Sequence, residues 1–208
     1  MDTLTLKIVF FAGIVLFFFI RYPHQQQNKK NQITDSRKTS QEKFLLLLVF
    51  IGMLLIPNVY VFSSLLSFAD YQLPEMVSIV GILIYAVSMY LFWKSHHDLG
   101  QNWSPSLEVR AEHTLITNGI YKSIRHPMYS SVWLWCFAQA LLLPNYIAAF
   151  SGIIGFGILY FLRVSNEEKM MLDQFGDEYQ SYMQSTGRVL PKFFFLKRTA
   201  KDAKDAKK

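Results

Sequence analysis

The chain is poor in cysteine and in charge. Cys136 is the single cysteine among 208 residues, and only 17% of the residues are charged. A lone cysteine excludes an intramolecular disulfide and says nothing about an oxidising compartment. Hydrophobic residues, in contrast, make up 51% of the chain and fall in long runs. This composition predicts one membrane-embedded domain.

The sequence also lacks the short motifs of several enzyme classes. It has no G-x-S-x-G, which argues against a serine hydrolase. Its only Gly-x-Gly, at Gly155 and Gly157, lies inside an apolar run and not after a strand, which argues against a Rossmann dinucleotide site. The histidines show neither H-x₃₋₅-H nor H-E-x-x-H, and no cysteine pair accompanies them. We therefore predict no metal site.

The net charge of +6 does not indicate a nucleic-acid partner. The basic residues lie in segments beside the apolar runs, where the positive-inside rule accounts for them. We therefore expect contact with membrane lipids and no nucleic acid.

Five apolar blocks are the candidate membrane spans. The first resembles a secretory signal, but Arg21-Tyr22-Pro23 after it offers no small-residue cleavage site, so we predict that it is retained. The last two flank Pro144-Asn145 and predict a helical hairpin. The predicted spans are residues 4–20, 44–66, 76–93, 128–143 and 146–162.

Three local signals refine these helices. Thr39 and Glu42 fit a capping box, with Thr39 as N-cap and Glu42 returning to it. Pro57 predicts a kink in the second span. Gly176 predicts the end of one amphipathic helix beyond the last span.

Loop charges predict the orientation in the membrane. Residues 21–43 hold six basic and two acidic residues, whereas residues 67–75 hold two acidic residues and no basic one. The positive-inside rule then places the N-terminus outside and the C-terminus in the cytoplasm. With five spans, residues 94–127 and 163–208 lie on the same, cytosolic side. We expect them to build one site against the membrane.

The predicted fold class is therefore all-α. One membrane-embedded domain covers residues 1–199 and contains about five transmembrane helices, including the hairpin. Residues 200–208 repeat Lys, Asp and Ala, and predict a disordered charged tail.

The segment Arg125-His126-Pro127 is the first candidate for chemistry. Proline is tolerated in the first turn of a span and holds the preceding residue extended, which would send Arg125 and His126 into a cavity at headgroup level. The alternative is structural, with Arg125 as a contact to lipid phosphate and His126 as a helix-end cap.

Arg163 and Glu167 are the second candidate. They share a face if the helix of the last span continues beyond the membrane, and charged residues at such a position tend to be functional. Alternatively, Ser165 to Glu168 form a capping box that begins a new helix, which weakens the shared face.

These residues also stand in a familiar order. The segments HTLITNGIYKSIRHPMYSSVWLW, from His113 to Trp135, and LRVSNEEKMMLDQFGDEYQSYMQSTGRVLP resemble the isoprenylcysteine carboxyl methyltransferase family of integral-membrane enzymes, and particularly its short prokaryotic, archaeal form. The resemblance covers roughly residues 40–195. It implies methyl transfer from S-adenosylmethionine, in a cytosolic pocket closed by the C-terminal helices, to a lipidic acceptor such as a prenylated cysteine that enters from the bilayer.

The resemblance also implies roles for single residues. Arg163 matches an arginine implicated at the acceptor, and Glu167 matches the acid that takes the amino group of the cofactor. The other residues that match cofactor contacts are Glu108, His113, Thr114, Leu115, Ile116, Tyr121, His126, Pro127, Met128 and Tyr129.

Three other readings remain open at this point. A phospholipid, amine or thiol methyltransferase would use the same pocket, with His126 or Tyr129 as base and a pH-dependent rate. A membrane reductase of the sterol-reductase type would bind NADPH and would need a basic site for the 2′-phosphate. A non-enzymatic membrane adaptor would use the polar loops only as topology signals.

Overall fold

The computed structural model describes residues 1–28, 33–36, 39–100, 108–110 and 114–192, with only the backbone for residue 28 and for the two strands. Helices dominate the described part, so the all-α prediction is confirmed. The elements are α1 (Thr3–Asn28), β1 (Ile33–Ser36), α2 (Ser40–Phe50), a π-helical turn (Ile51–Leu55), α3 (Ile56–Phe62), α4 (Glu75–Leu99), β2 (Glu108–Arg110), α5 (Pro127–Leu142) and α6 (Tyr146–Ser185).

Four helical stretches are long and apolar enough to cross a membrane. They are Thr3–Gln27, Ser40–Phe62, Glu75–Leu99 and Tyr146–Ser185. The remaining predicted span corresponds to α5, which has 16 residues and forms the predicted antiparallel hairpin with α6. Helix α6 spans 40 residues and is broken by non-helical backbone angles at Gly176, where the sequence predicts an end. This is far more than a bilayer needs, so the part after residue 162 projects beyond the apolar stretch.

The hairpin turn is held by one side chain. Asn145 Oδ1 accepts hydrogen bonds from the backbone N–H groups of Ile147 and Ala148 and so caps α6. Its amide nitrogen donates to Leu66 O and to Asp70 Oδ1. A single fully buried asparagine therefore joins the hairpin to the loop after α3.

The regular backbone hydrogen bonding of the second span is interrupted before Pro57. Helix α3 begins just before Pro57, which has no N–H, and the N–H of Ile56 donates to Ile51 O in the π-helical turn. The N–H of Ile56 is used by Ile51 and Pro57 has no N–H, so the carbonyl of Gly52 receives neither of these backbone hydrogen bonds. That oxygen instead accepts from Gln139 Nε2 at 3.1 Å and from Ser151 Oγ at 2.7 Å. The kink predicted at Pro57 is thus realised as a π turn bound to α5 and α6.

Small residues let α2 approach α6 closely. A Cβ on Gly155 would lie 2.7 Å from Leu48 O, and one on Gly52 would lie 2.3 Å from Ser151 O. Both distances are shorter than a Cβ tolerates, so the contact requires glycine at each position. This contact sets the antiparallel register of the two helices.

Aromatic packing joins the other helices. Phe10 stacks on Tyr85 and Phe17 on Phe92, which makes α1 and α4 parallel neighbours. Trp135 of α5 meets three of these rings edge-on and is 1% exposed. These rings therefore form the part of the core that lies among α1, α4 and α5.

The polar segments gather at one end of the bundle. The start of α2 and the segment before α5 both contact α6 there, at Arg163 and at Glu168. Strands β1 and β2, from the first loop and from the stretch after α4, pair antiparallel. At the opposite end the N-terminal ammonium of Met1 pairs with Glu75, and the N–H of Tyr71 donates to Pro144 O. Among the described residues, the structure thus places residues 114–127 and residues 163–189 together, as the loop charges predict.

Candidate functional site

Arg163 and Glu167 lie side by side where α6 leaves its apolar stretch. The helix is continuous through both residues, so they share a face and the alternative capping box at Ser165 does not form. Arg163 Nε is 3.5 Å from Glu167 Oε2. The Arg163 side chain is 9% exposed and that of Glu167 is 27% exposed, so the carboxylate is the more accessible group.

Tyr129 is the second partner of Glu167. Its hydroxyl donates to Glu167 Oε2 at 2.5 Å. Pro127 begins α5 and places Tyr129 in the first turn, facing α6. The His126 ring stacks on the Tyr129 ring with centroids 5.4 Å apart, and His126 Nδ1 is 3.8 Å from Glu167 Oε1. His126 and Tyr129 therefore both lie beside Glu167.

Glu42 completes this cluster, and the sequence reasoning did not place it there. Its Oε1 atom lies 3.4 Å from Arg163 Nη1, and its side chain is 5% exposed. The Thr39 hydroxyl accepts the N–H of Glu42, so the N-cap prediction is confirmed, while the Glu42 carboxylate faces α6. The available signal was an acid at the start of one apolar span and an arginine at the end of another.

A second charged cluster is centred on Glu168. Its Oε1 atom accepts from Arg125 Nε at 3.2 Å and from Arg188 Nε at 3.1 Å, and Arg188 Nη2 donates to Oε2. His126 Nε2 is 3.4 Å from Oε1. The hydrogen bond to Glu168 raises the pKa of the Arg188 guanidinium. Glu168 points away from Glu167 and therefore contacts Arg125, Arg188 and His126.

The expectation that Arg125 points into a headgroup-level cavity is wrong. Its side chain is 9% exposed, and Nη1 donates to the carbonyls of Met183 and Thr186. The guanidinium is turned inward because the end of α6 presents carbonyls that the helix leaves without partners. Arg125 therefore fastens the C-terminal segment to the segment before α5.

The chain after α6 lies against the residues before α5. The N–H of Arg125 donates to Gly187 O at 2.8 Å, and that of His126 donates to Arg188 O at 2.9 Å. Ser130 Oγ donates to Val189 O. Residues 187–189 thus run beside the H-P-M-Y segment.

Tyr121 is placed behind the site. It is buried, its hydroxyl donates to Ser95 O, and its own carbonyl accepts from the Tyr182 hydroxyl at 2.6 Å. Burial raises the pKa of the Tyr121 phenol. Asp98 Oδ2 holds this turn by accepting from the N–H of Ile120. Tyr121 therefore supports the segment that carries His126.

Not all predicted site residues join the cluster within the described part of the chain. Thr114 is exposed, and Leu115, Ile116 and Met128 are half-buried. Glu108 lies in β2, where it pairs with Ser36, but its side chain is outside the described residues. His113 and the tail 200–208 are also outside them. Among the described residues, no group of three or more His, Cys, Asp or Glu is placed to hold a metal ion.

Comparison with known proteins gives a consistent result. The family model for isoprenylcysteine carboxyl methyltransferases matches residues 79–173. A protein-S-isoprenylcysteine O-methyltransferase of Dictyostelium discoideum is 31% identical over 136 residues, which are 64% of this chain and 54% of that protein. The Saccharomyces cerevisiae enzyme of the same name is 23% identical over 193 residues, covering 88% of this chain and 78% of its own.

A solved structure shows the same fold. It is that of a eukaryotic intramembrane Ras methyltransferase of this family, with a TM-score of 0.51 and 22% identity over 74% of this chain and 53% of that one. The chain thus spans about half the length of that structure and of the Dictyostelium relative. The matched region contains α5, the first half of α6 and the Tyr129–Arg163–Glu167 cluster. Residues 79–173, a little under half of the chain, thus match the isoprenylcysteine carboxyl methyltransferase family, and the relatives that the chain resembles carry the name of that enzyme.

Proposed function

We propose that the protein transfers a methyl group from S-adenosylmethionine to the carboxylate of a membrane-associated, prenylated cysteine. The observation that carries this proposal is the cluster of Arg163, Glu167 and Tyr129 at the end of an apolar helix. The cluster offers an arginine that can bind an anion and a carboxylate that can bind a cation, and both lie at the level of the membrane surface. The names of the family relatives supply the class of acceptor.

The position of Arg163 suits an acceptor with a lipid chain. Phe161 and Leu162, which directly precede it, are 72% and 50% exposed on the surface that the bilayer covers. A prenyl group lying against them would bring its cysteine carboxylate to the arginine. Arginine holds carboxylates through paired hydrogen bonds, which fixes their orientation.

Glu167 fits the amino group of the cofactor. Its carboxylate is the accessible acid of the cluster, whereas the neighbouring Glu168 side chain is only 5% exposed and is held by two arginines. An ammonium would find a charge-assisted partner at Glu167. The stacked rings of His126 and Tyr129 would offer aromatic surface to a cation beside it. S-adenosylmethionine supplies, when bound, an electrophilic methyl group on a sulfonium.

A carboxylate acceptor requires little acid–base chemistry from the protein. It is already ionised at neutral pH, so attack on the methyl group needs alignment and exclusion of water more than a base. Arg163 would hold the acceptor, Tyr129 would hold Glu167, and the buried surroundings of both would keep water out. Neither His126 nor Tyr129 needs to accept a proton.

Calorimetric titration of the detergent-purified protein tests the cofactor. S-adenosylmethionine should bind saturably to the wild type and much more weakly to Glu167→Gln, while NADPH should not bind. The matched control is Glu178→Gln, the same change at an exposed position of α6. Folded wild-type protein that binds NADPH, or does not bind S-adenosylmethionine, would refute the proposal.

Methyl transfer tests the acceptor. An N-acylated, S-prenylated cysteine with a free carboxylate should accept label from S-adenosylmethionine as a base-labile ester. The corresponding carboxamide should not. If the label appears instead on the amine of a phospholipid, the acceptor is a lipid amine and not a carboxylate.

We also propose that the end of the bundle that carries the site faces the cytosol, because Arg21 and Lys43, at the two ends of the basic first loop, lie at that end.

A further inference from the structure

Glu42 and Arg163 form a buried ion pair between two spans that are far apart in sequence. The two residues are 4% and 8% exposed, and the Oε1–Nη1 distance is 3.4 Å. Burial of a carboxylate is costly unless a specific partner compensates it. The pair therefore needs an explanation beyond ordinary surface charge.

Capping of α2 does not explain the position of the Glu42 carboxylate. The Thr39 hydroxyl already accepts the N–H of Glu42, at 3.1 Å. An acid in the first turn is favoured by the helix dipole, but an exposed acid satisfies that preference equally well. The carboxylate instead faces Arg163 on α6.

The register between α2 and α6 brings the two charges together. The close contacts of Gly52 with Ser151 and of Gly155 with Leu48 fix how the helices lie along each other. Glu42 and Arg163 follow about two turns further along the same antiparallel pair. Their encounter is thus built into the packing of the membrane-spanning part.

Glu42 and Glu167 differ in their exposure. Among the described residues, both carboxylates face Arg163. Glu42 is the buried one, with a 5% exposed side chain, and Glu167 is the accessible one at 27%. If Glu42 were neutral, Arg163 would have Glu167 as its remaining carboxylate among these residues and would be drawn towards it.

We propose that Glu42 is a positioning residue that holds the Nη1 edge of Arg163 and thereby leaves the Glu167 carboxylate to bind the ammonium of the methyl donor. This inference rests on the proposed function, since it names a partner for the same site. According to this proposal, the first turn of α2 contributes to the binding of a ligand that contacts α6.

The test compares two nucleosides on Glu42→Gln. S-adenosylmethionine carries an ammonium, whereas 5′-methylthioadenosine has the same nucleoside but a neutral thioether in place of the sulfonium, and it lacks the amino-acid portion. We expect Glu42→Gln to raise the Kd for S-adenosylmethionine about tenfold, as for one weakened charge-assisted contact, and to leave that for 5′-methylthioadenosine unchanged. Glu42→Asp, which keeps the charge, should recover part of the loss.

The controls separate the possible failures. Glu75→Gln makes the same change at the opposite end of the bundle and should bind both nucleosides like wild type. Equal binding of S-adenosylmethionine by wild type and Glu42→Gln overturns the role of Glu42 alone. Loss of both nucleosides by a folded Glu42→Gln also overturns it, because the defect is then general. A wild type that binds neither nucleoside overturns the proposed function as well.

Discussion

Glu168 lies between Arg125 and Arg188, and its Oε1 atom accepts from the Nε of each, at 3.2 and 3.1 Å. Arg125 belongs to the segment before α5, and Arg188 to the segment after α6. One carboxylate thus joins the two segments that flank the hairpin. The neighbouring Glu167 makes no such connection and is held by Tyr129 and Arg163.

Glu168→Gln should lower the stability of the folded protein and should have a smaller effect on ligand binding at Arg163 and Glu167. Removal of one partner of a buried ion pair leaves the other charges uncompensated, at a cost of about 3–5 kcal/mol. We expect a clear fall in the melting temperature of the detergent-purified protein. The control Glu178→Gln, at an exposed position, should melt like wild type. Equal melting of the two variants would contradict a structural role for Glu168.

Tyr129→Phe should weaken cofactor binding without unfolding the protein. The change removes only the hydroxyl that donates to Glu167 at 2.5 Å and keeps the ring that stacks on His126. A hydrogen bond to a charged group contributes about 1.5–3 kcal/mol, so the Kd for S-adenosylmethionine should rise at least about tenfold.

Isothermal titration of Tyr129→Phe gives this value directly. Tyr146→Phe, a change at an exposed position at the other end of the bundle, is the matched control. An unchanged Kd in Tyr129→Phe would mean that the orientation of Glu167 does not depend on Tyr129.

Gly155→Ala and Gly157→Ala should differ in stability although they are two residues apart. A Cβ at position 155 would lie 2.7 Å from a backbone oxygen of α2, whereas one at position 157 would lie 3.4 Å from the end of the Trp133 side chain. Forced separation of packed helices costs about 1–3 kcal/mol. Thermal denaturation should therefore show a loss for Gly155→Ala, and little change or a gain for Gly157→Ala because alanine favours helix. Equal losses would indicate that α2 and α6 do not pack this closely.

The orientation of the chain can be measured by labelling of introduced cysteines. Gln72 and Asp177 are exposed at opposite ends of the bundle, and the native Cys136 is fully buried. In intact cells an impermeant maleimide should label Gln72→Cys and should label Asp177→Cys only after the membrane is opened. The reverse pattern would place the site outside the cytosol.

Patterns within a few residues predicted the local structure well. Thr39 was recognised as an N-cap from its own side chain and its distance to Glu42, and Gly176 was recognised as an interruption. Glycine at position 176 has φ +51°, a conformation that other residues rarely adopt. Such features depend on the chain immediately around them. They can therefore be read without knowledge of the fold.

Contacts between distant segments were harder to predict. Glu42 satisfies the pattern of a capping box, and nothing in its neighbourhood indicates that Arg163 will be its partner. Arg125 was expected to point outward because the carbonyls that bind it belong to residues about sixty positions later. Glu167 was a candidate from its spacing to Arg163, but only the family resemblance placed Tyr129 at the same site. The pairing of buried charges depends on helix register, which one sequence does not reveal.

The π-helical turn before Pro57 makes that proline depend on two distant positions of the chain. The proline leaves the carbonyl of Gly52 without a backbone donor, and Gln139 and Ser151 of two other helices supply the donors. In a bilayer no water is available to replace them. A sequence that lost both donors would leave this buried acceptor without a hydrogen bond, whereas one that lost the proline would leave the donors with the carbonyl of Ala148. Pro57 should therefore persist only in chains that keep a donor at position 139 or 151.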